Sequence, residues 1–153
     1  LSGTLTTIAG GQANRILDFS DYSAIGGGYT NNIASDSSCA TIAGGRNNDI
    51  AADSWYTTIA GGSYNTAGKH YATVGGGDGN VASGFGAFVG GGGYDGVSYD
   101  GNVASGAAAT IGGGINNLAT NRYATVPGGR FWERADRSRL RRTTPCTSAQ
   151  TAA

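Results

Sequence analysis

An all-β parallel β-roll, or β-solenoid, is the fold this sequence predicts, with about eight coils of 15–17 residues and one of 22. The first observation behind it is a repeat. An aliphatic residue recurs at Ile8, Ile25, Ile42, Ile59, Val74, Val89, Ile111 and Val126, at spacings of 17, 17, 17, 15, 15, 22 and 15, and the residues two and three after each one are glycine. A short fixed period is the mark of a stack in which each repeat leans only on its neighbours. The second is alternation: the residue two before each anchor is small in every copy (Thr6, Ser23, Ala40, Thr57, Ala72, Ala87, Ala109, Ala124). Alternate residues of a strand share a face, so anchor and small residue are expected to point into the coil. The third is composition. With 29 glycines and two prolines in 153 residues, collagen is excluded, and 39% apolar against 13% charged residues is too apolar for a charge-rich disordered chain.

Taken in order, each repeat starts with an extended segment of the type Tyr71-Ala72-Thr73-Val74. The eight anchors are the expected core. One residue before the anchor stands threonine in six copies, including Thr41, Thr58, Thr73, Thr110 and Thr125, and three before it stands tyrosine in four, including Tyr56, Tyr71 and Tyr123. These are expected on the opposite face, as an exposed ladder or a subunit interface. The paired glycines then turn the chain within few atoms, since glycine takes positive φ without steric cost.

A second extended segment of the type Asn-Val-Ala-Ser follows, with Ile16, Ile33, Ile50, Thr66, Val81, Val103 and Leu118 as a weaker anchor column. Just before it runs a column read as Asn32, Asp49, Asn65, Asn80, Asn102 and Asn117, whose amides could hydrogen-bond from coil to coil. Strands of about four residues joined by such turns suit a solenoid.

The 22-residue spacing reflects about seven residues inserted around Gly93–Tyr99, before the pattern resumes. An irregular loop on a regular array is where recognition is expected, which singles out Tyr94, Asp95 and Tyr99. After Val126-Pro127-Gly128-Gly129 the pattern fails. The chain therefore divides into a repeat domain, 1–130, and a segment 131–153 expected to be a basic cap or flexible tail. Residues 1–129 carry four basic side chains against eight Asp, whereas 130–153 carry six Arg against Glu133 and Asp136.

Chemistry is sparse. No glycine run is followed by the Lys-Ser/Thr of a phosphate loop, and Gly76-Gly77-Asp78-Gly79 is a lone near match to a calcium-binding nonamer, so neither cofactor nor metal is expected. The single histidine, His70, has no nucleophile beside it and is expected on a solvated turn next to Lys69. Asp36 and Asp53 fall at equivalent places one repeat apart. Cys39 and Cys146 match no metal or redox spacing. No run of residues is apolar and long enough for a membrane span, and the arginines of the end segment are not expected to form a nucleic-acid site. Catalysis is not expected.

The repeats Asn80-Val81-Ala82-Ser83-Gly84 with Ala87-Phe88-Val89-Gly90, and Asn65-Thr66-Ala67-Gly68 with Tyr71-Ala72-Thr73-Val74-Gly75, resemble the head repeats of YadA-type trimeric autotransporter adhesins. Similar repeats occur in phage tail fibres and other bacterial surface proteins. The resemblance covers residues 4–130 and implies a left-handed roll with one coil per repeat, assembled as a homotrimer outside the cell. The expected function is an extracellular or cell-surface structural or adhesive fibre element whose partner is itself, as a homotrimer or end-to-end filament. An adhesin head for a host or matrix ligand is one alternative. An ice-binding solenoid using the threonine column is the other.

Overall fold

A computed structural model describes residues 4–130, and there the chain is an all-β solenoid without helix. The segment 131–153, including Cys146, lies outside the described residues. One parallel sheet of eight strands holds Thr7–Ile8, Ala24–Ile25, Thr41–Ile42, Thr58–Ile59, Thr73–Val74, Phe88–Val89, Thr110–Ile111 and Thr125–Val126 in sequence order. A second parallel sheet of seven strands runs from Arg15–Ile16 to Leu118–Ala119. The chain alternates between the two, completing seven turns and opening an eighth.

Register makes the repeat physical. Ile8 pairs with Ile25, Ile25 with Ile42, and so on without a slip to Val126. All the anchors between the two ends are fully buried, Ile8 and Val126 are half-buried at the terminal coils, and the small residues two before them, such as Ala40 and Ala72, are buried as well. A β-branched anchor over an alanine is what a coil this narrow can enclose.

The second column differs from the sequence reading. Ile50 pairs with Ala67, Ala82 with Ala104, and Ala104 with Ala119, so the inward residues are Ile16, Ile33, Ile50, Ala67, Ala82, Ala104 and Ala119. Thr66, Val81, Val103 and Leu118 stand one residue earlier and face outward, Leu118 being 57% exposed. The change from isoleucine to alanine coincides with a shortened connection. Nine residues separate Ile50 from Ile59, but only seven separate Ala67 from Val74. With two fewer residues at the corner, the inward position holds the methyl group of an alanine in place of an isoleucine side chain. In the longer connections the extra space is filled by Ser20, Ser37 and Ser54, buried and bonded coil to coil, as in Ser37 Oγ donating to the Ala51 carbonyl at 2.8 Å.

Correcting that register also corrects the asparagine column, which is Asn14, Asn31, Asn48, Asn65, Asn80, Asn102 and Asn117; Asn32 and Asp49 face outward beside it. From Asn31 to Asn102 each amide of the column is bonded at both Nδ2 and Oδ1. Asn48 donates to the Gly44 carbonyl in its own coil and the Gly62 carbonyl in the next, both at 3.0 Å, and its Oδ1 accepts the Asn65 backbone N–H. A buried primary amide left unbonded would be costly, so the row fixes the coil-to-coil register.

The second glycine of every pair but the last is forced by the same geometry. At Gly45, with φ +93°, an added Cβ would lie 2.2 Å from the Gly62 carbonyl oxygen and 2.6 Å from Asn48 Nδ2. No side chain fits there.

The strands are two residues long, shorter than the four expected, because non-glycine residues in the left-handed region interrupt them. Tyr22, Cys39, Tyr56, Tyr71, Ala108 and Tyr123 form one such row, with φ between 54° and 62°, and Ala13, Thr30, Asn47, Tyr64 and Asn116 form a second. Bulky and β-branched side chains seldom adopt this conformation, and it costs about 1–2 kcal/mol per residue. Inter-coil bonds hold it in place: the N–H of Tyr71 donates to the Trp55 carbonyl at 2.9 Å.

Candidate functional site

The interior is closed by its own rows, so the chemistry available to a partner lies on the corners, the outer sheet face and the inserted loop. Tyr56, Tyr71 and Tyr123 were expected on the outer sheet face. They sit instead at a left-handed corner, where the backbone turns their rings outward. In the adjacent row stand Trp55, His70 and Phe85 of three consecutive coils.

These two rows form an exposed aromatic ridge. The Tyr56 and Tyr71 rings stack at 5.3 Å with 4° between planes, Trp55 and His70 stack at 5.0 Å, and His70 meets Phe85 edge-on at 5.3 Å. Parallel coils deliver this spacing, since in-register strands lie about 4.8 Å apart. Tyr22 and Tyr123 stand in the same row as Tyr56 and Tyr71 but apart from the ridge, Tyr22 beyond Cys39 and Tyr123 beyond Gly86 and Ala108, the latter with the Arg122 guanidinium 4.8 Å over its ring. Trp55 anchors it: the indole Nε1–H donates to the Asp36 carbonyl at 2.6 Å, joining two successive 17-residue coils just before the shorter ones begin.

His70 stands on the turn next to Lys69, as expected, but its ring is not freely solvated. It is half-buried between Trp55 and Phe85, and its Nδ1 accepts the Trp55 backbone N–H at 2.9 Å, which places the proton of the neutral ring on Nε2. Sequence reasoning missed this ridge because Trp55, His70 and Phe85 share no residue type. Their common place, fifteen residues apart and four before an anchor, was the available signal.

The outer face of the eight-stranded sheet carries the threonines in one row. Thr41, Thr58 and Thr73 are consecutive partners, Phe88 interrupts, and Thr110 pairs with Thr125. Thr41 and Thr125 are exposed and the other three half-buried.

The insertion comprises residues 94–100, thrown off between Gly93 and Gly101. Tyr94 and Tyr99 pair antiparallel with rings stacked at 4.4 Å. Inside this short hairpin Asp95 accepts the N–H of Ser98 at 2.8 Å and of Val97 at 3.0 Å, and its other oxygen meets Arg130 Nη1 at 2.9 Å. Those N–H groups, with the Arg130 charge, hold the Asp95 carboxyl below its ordinary value. The Tyr94 phenol is pushed up, chiefly by its hydrogen bond with Tyr99 and that ring's charge. Tyr94, Asp95 and Tyr99 are thus brought together, at one corner and apart from the aromatic ridge.

Asp36 and Asp53 occupy the same left-handed corner position in neighbouring coils. Among the described residues, no group of three His, Cys, Asp or Glu side chains is placed to hold a metal ion, and no helix is long and apolar enough to cross a membrane.

Fold and surface define the class: a β-solenoid repeat protein whose side chains line up in rows from coil to coil. No protein-family model matches the chain, and no curated protein matches it.

Proposed function

We propose that the chain is a structural or adhesive fibre element of the cell surface or extracellular space that assembles with copies of itself, and not an enzyme. The observation that carries this reading is the ridge of Trp55, Tyr56, Tyr71 and Phe85, four large rings about half exposed and lined up on one corner, Tyr56 on Tyr71 and Trp55 and Phe85 on either side of His70. Contiguous exposed aromatics mark contact surfaces. Each coil buries one aliphatic anchor and a few small side chains, which at about 25 cal/mol per Å² is a thin core for a stack this long. Packing the ridge against a second and third copy supplies apolar burial that a single chain lacks. The resemblance of the repeats to trimeric adhesin heads supports three copies and a surface location, and it supports the hairpin with Tyr94 and Tyr99 as the place where a host or matrix ligand would be met. Light scattering on the purified chain tests the reading: a mass of three copies or more supports it, and a monomer at every concentration contradicts it.

A second reading, ice binding, is favoured by one observation, the in-register Thr41, Thr58 and Thr73 row on the outer sheet face. Thermal hysteresis decides it, and Phe88 in the same row counts against it.

A further inference from the structure

In the row immediately after the anchors, every coil from Ala9 to Gly112 sends a backbone N–H to the anchor carbonyl of the next coil. Ala60 donates to Val74 at 3.0 Å, Gly75 to Val89 at 2.8 Å, Gly90 to Ile111 at 2.9 Å and Gly112 to Val126 at 2.9 Å. The next member of that row is Pro127. It has no N–H, and its Cδ stands where the hydrogen would be. Proline is tolerated at sheet edges and excluded from sheet interiors for this reason.

We propose that Pro127 closes this edge of the solenoid to in-register stacking of a second copy of the chain. An incoming first coil would bring its Ile8 carbonyl to the place that Val126 offers Gly112. There it would meet a ring carbon inside van der Waals contact, without the bond that every earlier coil makes. Exposed parallel edges recruit further strands unless blocked, and the rest of this coil keeps the register of its predecessors, with Thr125 paired to Thr110 and Val126 to Ile111. In this row one residue therefore removes the bond that an added coil would make. Side-by-side association through the aromatic ridge is unaffected, so the inference stands apart from the self-assembly reading and removes this edge from its end-to-end form.

The test compares the full chain with Pro127→Gly and Pro127→Ala, the residues found in this row at Gly112 and Ala60. Circular dichroism checks that each variant is folded, electron microscopy measures rod length, and light scattering measures mass over a concentration series. The native chain is expected to keep one solenoid length, about 34 Å for seven inter-strand steps, whatever its mass. Either variant is expected to give rods at least twice as long that lengthen with concentration. Native rods several units long would overturn the proposal, and so would folded Gly and Ala variants that both keep the single length. A mass of several copies at single length supports side-by-side assembly and agrees with the proposal.

Discussion

Asn48 Oδ1 accepts both the backbone N–H and the side-chain Nδ2–H of Asn65, each at 3.1 Å, across 17 residues of sequence and one step of the stack. The same contact joins Asn80 to Asn102 across the 22-residue coil, at 2.9 and 3.0 Å. The ladder is indifferent to how much chain lies between its members.

Replacing Asn48 by Leu should therefore destabilise the stack well beyond one hydrogen bond. It strands the Gly44 carbonyl and the Asn65 N–H, while the Gly62 carbonyl keeps the Arg46 N–H, and at about 1–3 kcal/mol for each buried group left unpaired the expected loss is about 2–6 kcal/mol. Denaturant unfolding followed by circular dichroism measures it. A loss under about 1 kcal/mol would show that water replaces the amide.

Adjacent glycines should respond oppositely. Gly45→Ala drives a Cβ into the Gly62 carbonyl in the left-handed region and should abolish folding or cost more than about 3 kcal/mol. At Gly44 the nearest atom to an added Cβ is 4.0 Å away, so Gly44→Ala should change stability by less than about 1 kcal/mol. Equal effects would mean that the turn is misdescribed.

The hairpin should loosen in acid. Because the Asp95 carboxyl is held below its ordinary 3.8, its contribution is present above that value and is lost as the pH falls through the lowered one. The Ser98 amide resonance should titrate with a midpoint below 3.8 and stop titrating in Asp95→Asn. A midpoint at or above 3.8 would contradict the bonding described. Tyr94 works in the other direction: its phenol is raised, so that contribution persists below 10.0 and is lost in stronger base.

Removing the exposed rings should separate assembly from folding. Tyr56→Ser with Tyr71→Ser takes away a stacked pair that contributes little to the buried core. The double variant should keep its circular dichroism spectrum and lose at least half of its assembled mass. Unchanged assembly would move the interface elsewhere, with the threonine row as the next surface to alter.

Much of this architecture is legible in the residues. The anchors from Ile8 to Val126 and the glycines behind them fix the period and the first sheet, because each is required by closure of the coil. The second column was misread from Thr66 onward because Val81, Val103 and Leu118 are the more apolar residues and drew the register by one, although asparagine two before Ile16, Ile50 and Ala119 marks the true frame. The corners were not legible. Tyr56, Tyr71 and Thr30 take a conformation their own preferences disfavour, held by bonds to coils fifteen or more residues away, and no local signal carries that.

The central claim is that height along the stack follows coil number and not residue number. Pairs of nitroxide labels on Thr7 with Thr73, Thr110 or Thr125, in a chain with Cys39 and Cys146 replaced by serine, measure it by pulsed electron resonance. The three partners lie four, six and seven strand steps from Thr7. At about 4.8 Å per step the account predicts separations of about 19, 29 and 34 Å, with the 22-residue coil adding no more than a 15-residue one. Distances that grow with the number of intervening residues, or that show no common step, would contradict it.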